Sequence, residues 1–248
     1  MKTSVIKLKG KACLIGNTSV LCLLFFTLAA VMLCLNFLPE IAVQTLPDNN
    51  KNTFMIFVSV AVIAFAYALY SVFDMSFTRF FLRKAEKKGG TVKDLFYYSA
   101  PSRAVRLILF CARLGMVKAF LLLICFLPFA ANIVIFLNLS EHSVSLKVSA
   151  VMLASAIFFF LNGCRFYFML SDSLFLVRYY YAKGEYLTFC QLVSSSQHQI
   201  KNHRKALTRL RLSFTLWLIF SLFFFPAAYV FSYYSQCKAV FAAEIMAD

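Results

Sequence analysis

The sequence predicts an all-α, polytopic bundle of about five transmembrane helices, with amphipathic interfacial helices on the cytoplasmic side. Three observations predict it. Of the 248 residues 62% are hydrophobic and 14% charged, where soluble domains carry roughly a quarter charged residues. The apolar residues gather into runs of about 20, the length of helix that crosses a hydrocarbon core of about 30 Å. The charges, 25 Lys+Arg against 10 Asp+Glu for a formal net charge of +15, fall in alternate segments between those runs. A soluble domain of this length has no way to hide so much apolar surface, which argues against a water-soluble enzyme. A disordered chain is excluded by the same surplus of apolar residues.

The first run, residues 18–37, has no charge and follows Lys2, Lys7, Lys9 and Lys11. That opening resembles a signal peptide, but the run is too long for a typical cleaved segment and no A-x-A site follows it, so a retained anchor is expected. The second run, 54–73, ends beside Asp74. The third, 119–137, is preceded by an apolar texture that reaches back to Leu107 through Arg113 and Lys118. The fourth, 148–170, meets Arg165 near its end. The fifth is 213–234, and Pro128 and Pro226 lie inside runs three and five. Together they make one integral membrane domain, 1–248.

Orientation follows the rule that Lys and Arg collect in short cytoplasmic loops. Residues 1–17 carry four Lys and no acid, residues 79–106 eight basic side chains against Glu86 and Asp94, and residues 169–212 seven against Asp172 and Glu185. The loops 38–53 and 138–147 and the tail 235–248 have one basic residue each and at least as many acids. Five spans with this alternation place the amino end in the cytoplasm and the carboxyl end outside, in a cell membrane.

Two basic segments read as more than connectors. In 200–214, Lys201, Arg204, Lys205 and Arg209 share one side at helical spacing, while Ile200, His203, Leu207, Leu210 and Phe214 share another. Residues 104–118 can lie in the interface before turning inward, with Arg103, Arg106 and Arg113 at the headgroups. A Lys or Arg beside an anionic leaflet is worth about 1 kcal/mol, so Lys201, Arg204, Lys205, Arg209, Arg106 and Arg113 are candidate contacts for anionic phospholipid. The simpler reading gives them orientation alone. Nucleic acid is not expected as a partner, because membrane orientation already accounts for the charge.

Ionisable groups at membrane depth are functional suspects, and here Asp74, Arg165 and Asp172 form a candidate polar cluster at cytoplasmic span ends. Arg165 and Asp172 are seven apart, two turns on one face, and Asp74 can reach the same level from the second span. No catalytic set appears: Ser99 and Ser194 lack a nucleophile-elbow context, and Gly89-Gly90 has no phosphate-loop context. The three His and eight Cys form no metal-ligand spacing, so neither a metal nor another cofactor is expected. The expectation is a non-enzymatic membrane scaffold or lipid-interacting protein, alone or with a protein partner or second copy. The alternative is a small transporter or channel subunit.

Two stretches carry a resemblance. Residues 9–17 (KGKACLIGN) and 162–246, with Leu210, Leu212, Ser213, Phe214 and Trp217 in an L-x-L-S-F-x-x-W pattern, resemble a family of uncharacterised bacterial polytopic membrane proteins. That family is distantly related to the membrane domain of glycerophosphodiester phosphodiesterases. Its I-P-G before the Tyr-rich stretch is here Leu161-Asn162-Gly163. The resemblance implies a helical membrane protein and carries no activity with it, since the phosphodiesterase domain is absent from this sequence.

Overall fold

A computed structural model of the chain describes residues 3–16, 21–22, 25–27, 29–31, 33–34, 37, 51–87, 90–140, 146–184, 188–221 and 227–247. The described residues form helices and no strand, as the predicted all-α class requires. The helices are α1 (Thr3–Leu14), α2 (Lys51–Ala85), α3 (Val92–Leu95), α4 (Pro101–Ser140), α5 (Leu146–Ser173), α6 (Val177–Lys183), α7 (Phe189–Ile200), α8 (Arg204–Ser221) and α9 (Ala227–Ile245), with a 3₁₀ turn at Tyr97–Ser99.

Three stretches are long and apolar enough to cross a membrane: Met55–Ala85, Pro101–Asn138 and Val148–Lys183. They correspond to predicted spans two, three and four, so among the described residues the count is three and not five. The first predicted span lies largely outside the described residues. The described residues of the fifth fall in two helices, α8 up to Ser221 and α9 from Ala227, which pack on each other. Nor do residues 104–118 form a separate interfacial element. Pro101 sits at the first helical position, where its missing N–H costs nothing, and α4 runs unbroken from there through Pro128 to Ser140.

Contacts divide the chain into two units. The first is Met1–Ile108 with Arg178–Leu187 and Lys205–Asp248; the second is Leu109–Val177 with Thr188–Arg204. In the first unit α2 changes surroundings along its length. From Met55 to Tyr70 its large side chains are exposed or half-exposed, whereas Met75, Phe80, Phe81 and Leu82 are buried. The buried half is covered by α1 and α9. Gly10 of α1 lies so close to α9 that a Cβ there would come within 2.6 Å of Cys237 Sγ. The Tyr233 hydroxyl donates to the Lys7 carbonyl (3.1 Å), Gln236 Nε2 to the Phe81 carbonyl (3.2 Å) and Lys84 Nζ to the Cys13 carbonyl (3.3 Å). Lys7 pairs with 233, Gly10 with 237, Phe81 with 236 and Lys84 with 13. The numbers rise together, so α1, α9 and the second half of α2 run parallel.

α8 packs antiparallel to α9. The Phe214 ring lies 5.2 Å from that of Tyr233 and 5.1 Å from that of Tyr234, and the Lys7 ammonium sits over Phe214 at 4.7 Å while donating to the Ser213 carbonyl. The predicted fifth span is therefore a helical hairpin. Its returning arm ends beside Ala85, Glu86 and Lys87, at the basic end of α2. The expectation that the carboxyl end lies across the membrane from the amino-terminal segment finds no support here: α1 and α9 pack side by side within one unit.

In the second unit α4 and α5 are antiparallel neighbours. Gly163 allows contact, since a Cβ there would lie 2.8 Å from the Cys125 carbonyl oxygen. Farther along, Phe126 and Phe129 pack on Phe160, and Asn132 Nδ2 donates to Ser155 Oγ at 2.8 Å. The α5–α6 break is stabilised from α7: the buried Ser196 hydroxyl donates to the Ser173 carbonyl (2.6 Å) and accepts the Leu176 N–H (3.2 Å).

Both close approaches exclude larger side chains. Gly10→Leu and Gly163→Leu are each expected to cost about 1–3 kcal/mol through overpacking, read as a lower melting temperature of the purified protein. Unchanged melting in either variant would contradict that contact.

Candidate functional site

The candidate lipid contacts lie where exposed basic side chains give way to exposed apolar ones. Along α4, Leu107, Phe110, Cys111 and Leu114 form a buried stripe at three- and four-residue spacing. Arg106 and Arg113 stand exposed on the other side with Val105 and Leu109, and from Met116 to Leu137 the exposed residues are apolar. Arg103 is held lower down, its guanidinium 4.3 Å from the Tyr97 ring and Nη1 donating to the Tyr97 carbonyl (3.4 Å).

The second segment keeps its predicted amphipathic character with one change. Ile200, Leu207, Leu210 and Phe214 are all 1% exposed or less, but Ile200 ends α7, and residues 201–203 form a turn before α8. Lys201, Lys205 and Arg209 are exposed. Arg204 is not: its Nη2 donates to Ser173 Oγ at 2.9 Å, which makes it a clamp on the end of α5. After Arg209 the exposed face of α8 turns apolar at Leu212 and continues through Leu216 and Trp217 to Phe220.

The predicted cluster of Asp74, Arg165 and Asp172 resolves differently. Asp74 Oδ2 pairs with Arg178 Nη1 at 2.7 Å, a partner counted from sequence only as a connector charge. Arg165 is exposed and Asp172 is 4% exposed, so their shared spacing does not give them a shared environment.

Sequence reasoning missed a tighter group. Asp94, 4% exposed, accepts from Arg83 Nη1 at 2.6 Å, lies 3.7 Å from Arg79 Nε and accepts the Thr91 N–H at 3.0 Å. Arg79 also donates to the Ala182 carbonyl (3.2 Å) and stacks on Tyr97 at 3.5 Å. One guanidinium thus ties α2 to α3, the 3₁₀ turn and α6. The Thr91-x-x-Asp94 pattern, a helix-start signature, was the one local signal for it. Burial pushes the neighbouring Tyr98 phenol up to about 12, against the opposing pull of Arg79.

Two recesses complete the inventory. A groove of about 490 Å³ between α4 and α5 is lined by Phe129, Asn132, Phe136, Met152 and Phe160 among others, and is apolar apart from the amide. A cleft of about 660 Å³ at the basic end of the first unit brings Lys9, Lys87 and Lys183 together with Glu86 and Glu244. Lys9 Nζ pairs with Glu244 Oε1 there at 2.6 Å. Among the described residues no three His, Cys, Asp or Glu side chains group closely enough to hold a metal ion.

These features define a class: a protein whose described residues are helical and include three helices long and apolar enough to cross a membrane. No family model, curated protein or solved structure matches the chain.

Two outcomes check the geometry. Asp94→Ala removes the carboxylate from two guanidiniums and a helix start. It is expected to cost about 1–3 kcal/mol, with little of that from the 43%-exposed Arg83. Equal stability of the variant would remove the group from the account. Burial also pushes the Cys237 thiol up to about 12, Lys7 pulling the other way. A raised pKa means the reactive thiolate is scarce below that pH. A maleimide at mildly alkaline pH should therefore modify exposed Cys190 and reach Cys237 only after unfolding; equal rates in the folded protein would contradict the burial.

Proposed function

We propose that the protein is a non-enzymatic integral membrane protein that engages anionic phospholipid headgroups on the cytoplasmic side and organises that leaflet around it. The observation that carries this reading is the pattern on α4 and α8, where exposed Arg and Lys stand at the threshold of exposed apolar surface on one continuous helix. Hydrocarbon accepts the apolar stretch, and the adjoining cations then fall at the depth of the phosphates. Of the six candidate contacts, Lys201, Lys205, Arg209, Arg106 and Arg113 keep that role; Arg204 leaves it for Ser173. The cytoplasmic assignment rests on the excess of basic residues at this end. The resemblance to uncharacterised bacterial membrane proteins is consistent with such a role and adds no activity.

A transporter or channel has less support. Residues 119–138 and 148–164 contain no charged side chain, the α4–α5 groove is apolar, and Asp74 is engaged by Arg178.

The test uses the full chain in nanodiscs with and without an anionic phospholipid. The wild type is expected to melt higher with the anionic lipid, and added salt should shrink that shift. Replacing Lys201, Lys205 and Arg209 by Gln, or Arg106 and Arg113 by Gln, should remove up to about 1 kcal/mol of lipid-dependent stabilisation per residue. Variants that keep the whole shift would defeat the proposal.

A further inference from the structure

The α8–α9 hairpin has an outer surface that is largely exposed. On α8, Leu212, Leu216, Trp217, Ile219 and Phe220 are exposed, Leu216 by 69% and Trp217 by 60%; on α9, Tyr229 and Phe231 are exposed, Phe231 with one face of its ring stacked on Phe25 at 5.9 Å. The opposite faces are occupied. Leu207, Leu210 and Phe214 are buried, and α9 from Gln236 to Ile245 is almost entirely so.

Its depth follows from the packing. Gln236 sits beside Phe81, and α9 runs parallel to α2, so Ala227 comes level with about Val72. Phe214 sits beside Tyr233 and Tyr234, and α8 runs antiparallel to α9. Leu212–Phe220 therefore travels alongside about residues 72–80 of α2. That is the half of α2 where Asp74 and Arg79 lie and where burial begins. The lipid-exposed stretch of α2, Met55–Tyr70, lies beyond the point where α9 begins. Nine residues of helix also rise only about 13 Å, against about 30 Å for the hydrocarbon core.

We propose that the hairpin crosses nothing. It dips to the boundary between headgroups and acyl chains of the cytoplasmic leaflet and returns to the same side, and its bare face is filled by the upper acyl chains of that leaflet. Several features select this occupant over water or a protein. The surface is apolar and carries the single Trp of the chain, the residue type favoured at membrane interfaces. On the same helix it adjoins Lys205 and Arg209, which match anionic headgroups in charge. Both ends of the chain then lie in the cytoplasm. The proposal rests on the headgroup reading for its orientation, but it is read by the side of the carboxyl end and the depth of Trp217, which the stabilising effect of anionic lipid does not report. Loss of lipid-dependent stabilisation in the Lys and Arg variants and failure of the hairpin assignment are thus separate results.

The full-length protein in native membrane vesicles and in liposomes tests it with two readouts. A carboxyl-terminal epitope is expected to be cleaved by protease in inverted vesicles and protected in right-side-out ones, matching an amino-terminal epitope. Cleavage from the opposite face would overturn the proposal, because it requires a crossing after α8. In liposomes of phosphatidylcholine brominated at defined chain positions, Trp217 should lose most of its fluorescence to bromines near the glycerol and little to those near the chain end. Greater loss to the deep bromines would mean a crossing helix. Loss to neither would mean that water or a second copy covers the face, and either result overturns the proposal. The Trp217→Phe variant supplies the background signal.

Discussion

α9 seats against α1 and the second half of α2 with no side chain at Gly10 to hold them apart, and much of the first unit depends on that close parallel contact. It fixes the height of α9 relative to α2, and through α9 the height of α8. The Lys7 ammonium over Phe214 and the Tyr233 hydroxyl on the Lys7 carbonyl are second-order consequences: they become available once the backbones are that near. A larger residue at position 10 would push α9 outward, which moves Gln236 off the Phe81 carbonyl and leaves two buried polar groups unmatched.

The long helices solve a problem of two solvents. Helix α2 is one 35-residue rod, yet its first half offers only apolar surface and its second half sits in a packed cluster with ion pairs. A helix satisfies its own backbone in either medium, so the change of surroundings costs the main chain nothing and is written entirely in side chains. In α4 the same change occurs across Arg106, Arg113 and Met116. The Arg79–Asp94–Arg83 group then has a clear purpose: where the exposed apolar surface of α2 ends, its charges turn inward and gather the short elements α3, the 3₁₀ turn and α6 around it.

This division explains what was legible in the sequence. Spans two, three and four announce themselves because hydrocarbon demands about 20 apolar residues and permits little else. The buried stripe of Ile200, Leu207, Leu210 and Phe214 was legible through its period. The hairpin was not. Residues 213–234 have the same composition whether they cross or fold back, and the information that decides between them, Gly10 against Cys237 and Gln236 against Phe81, joins positions more than 150 apart in the chain. Counting charges by segment is blind to the same long-range contacts: the tail's low positive charge reads as outside, while Glu244 pairs with Lys9 of the amino-terminal helix. Asp74 illustrates the limit for sites, since spacing gave it Arg165 and Asp172 as neighbours and folding gave it Arg178.

Folding also separates two populations of cations that composition merges. Arg79, Arg83, Arg178 and Lys9 answer the carboxylates of Asp94, Asp74 and Glu244, and Arg204 answers Ser173. Those charges are consumed inside the protein, and changing the lipid leaves them where they are. Lys201, Lys205, Arg209, Arg106 and Arg113 are exposed instead. A net charge of +15 therefore overstates the attraction available to a leaflet if read as a total, and the five exposed cations on α4 and around α8 are the ones that adjoin exposed apolar surface. At that rim a cation keeps its hydration, its alkyl stem rests on apolar neighbours, and it reaches a phosphate without leaving its helix. On the proposed reading, charges placed there would attract anionic lipid more than the same number spread over the polar end, because Debye screening over about 8–10 Å discounts every charge held farther from the headgroups.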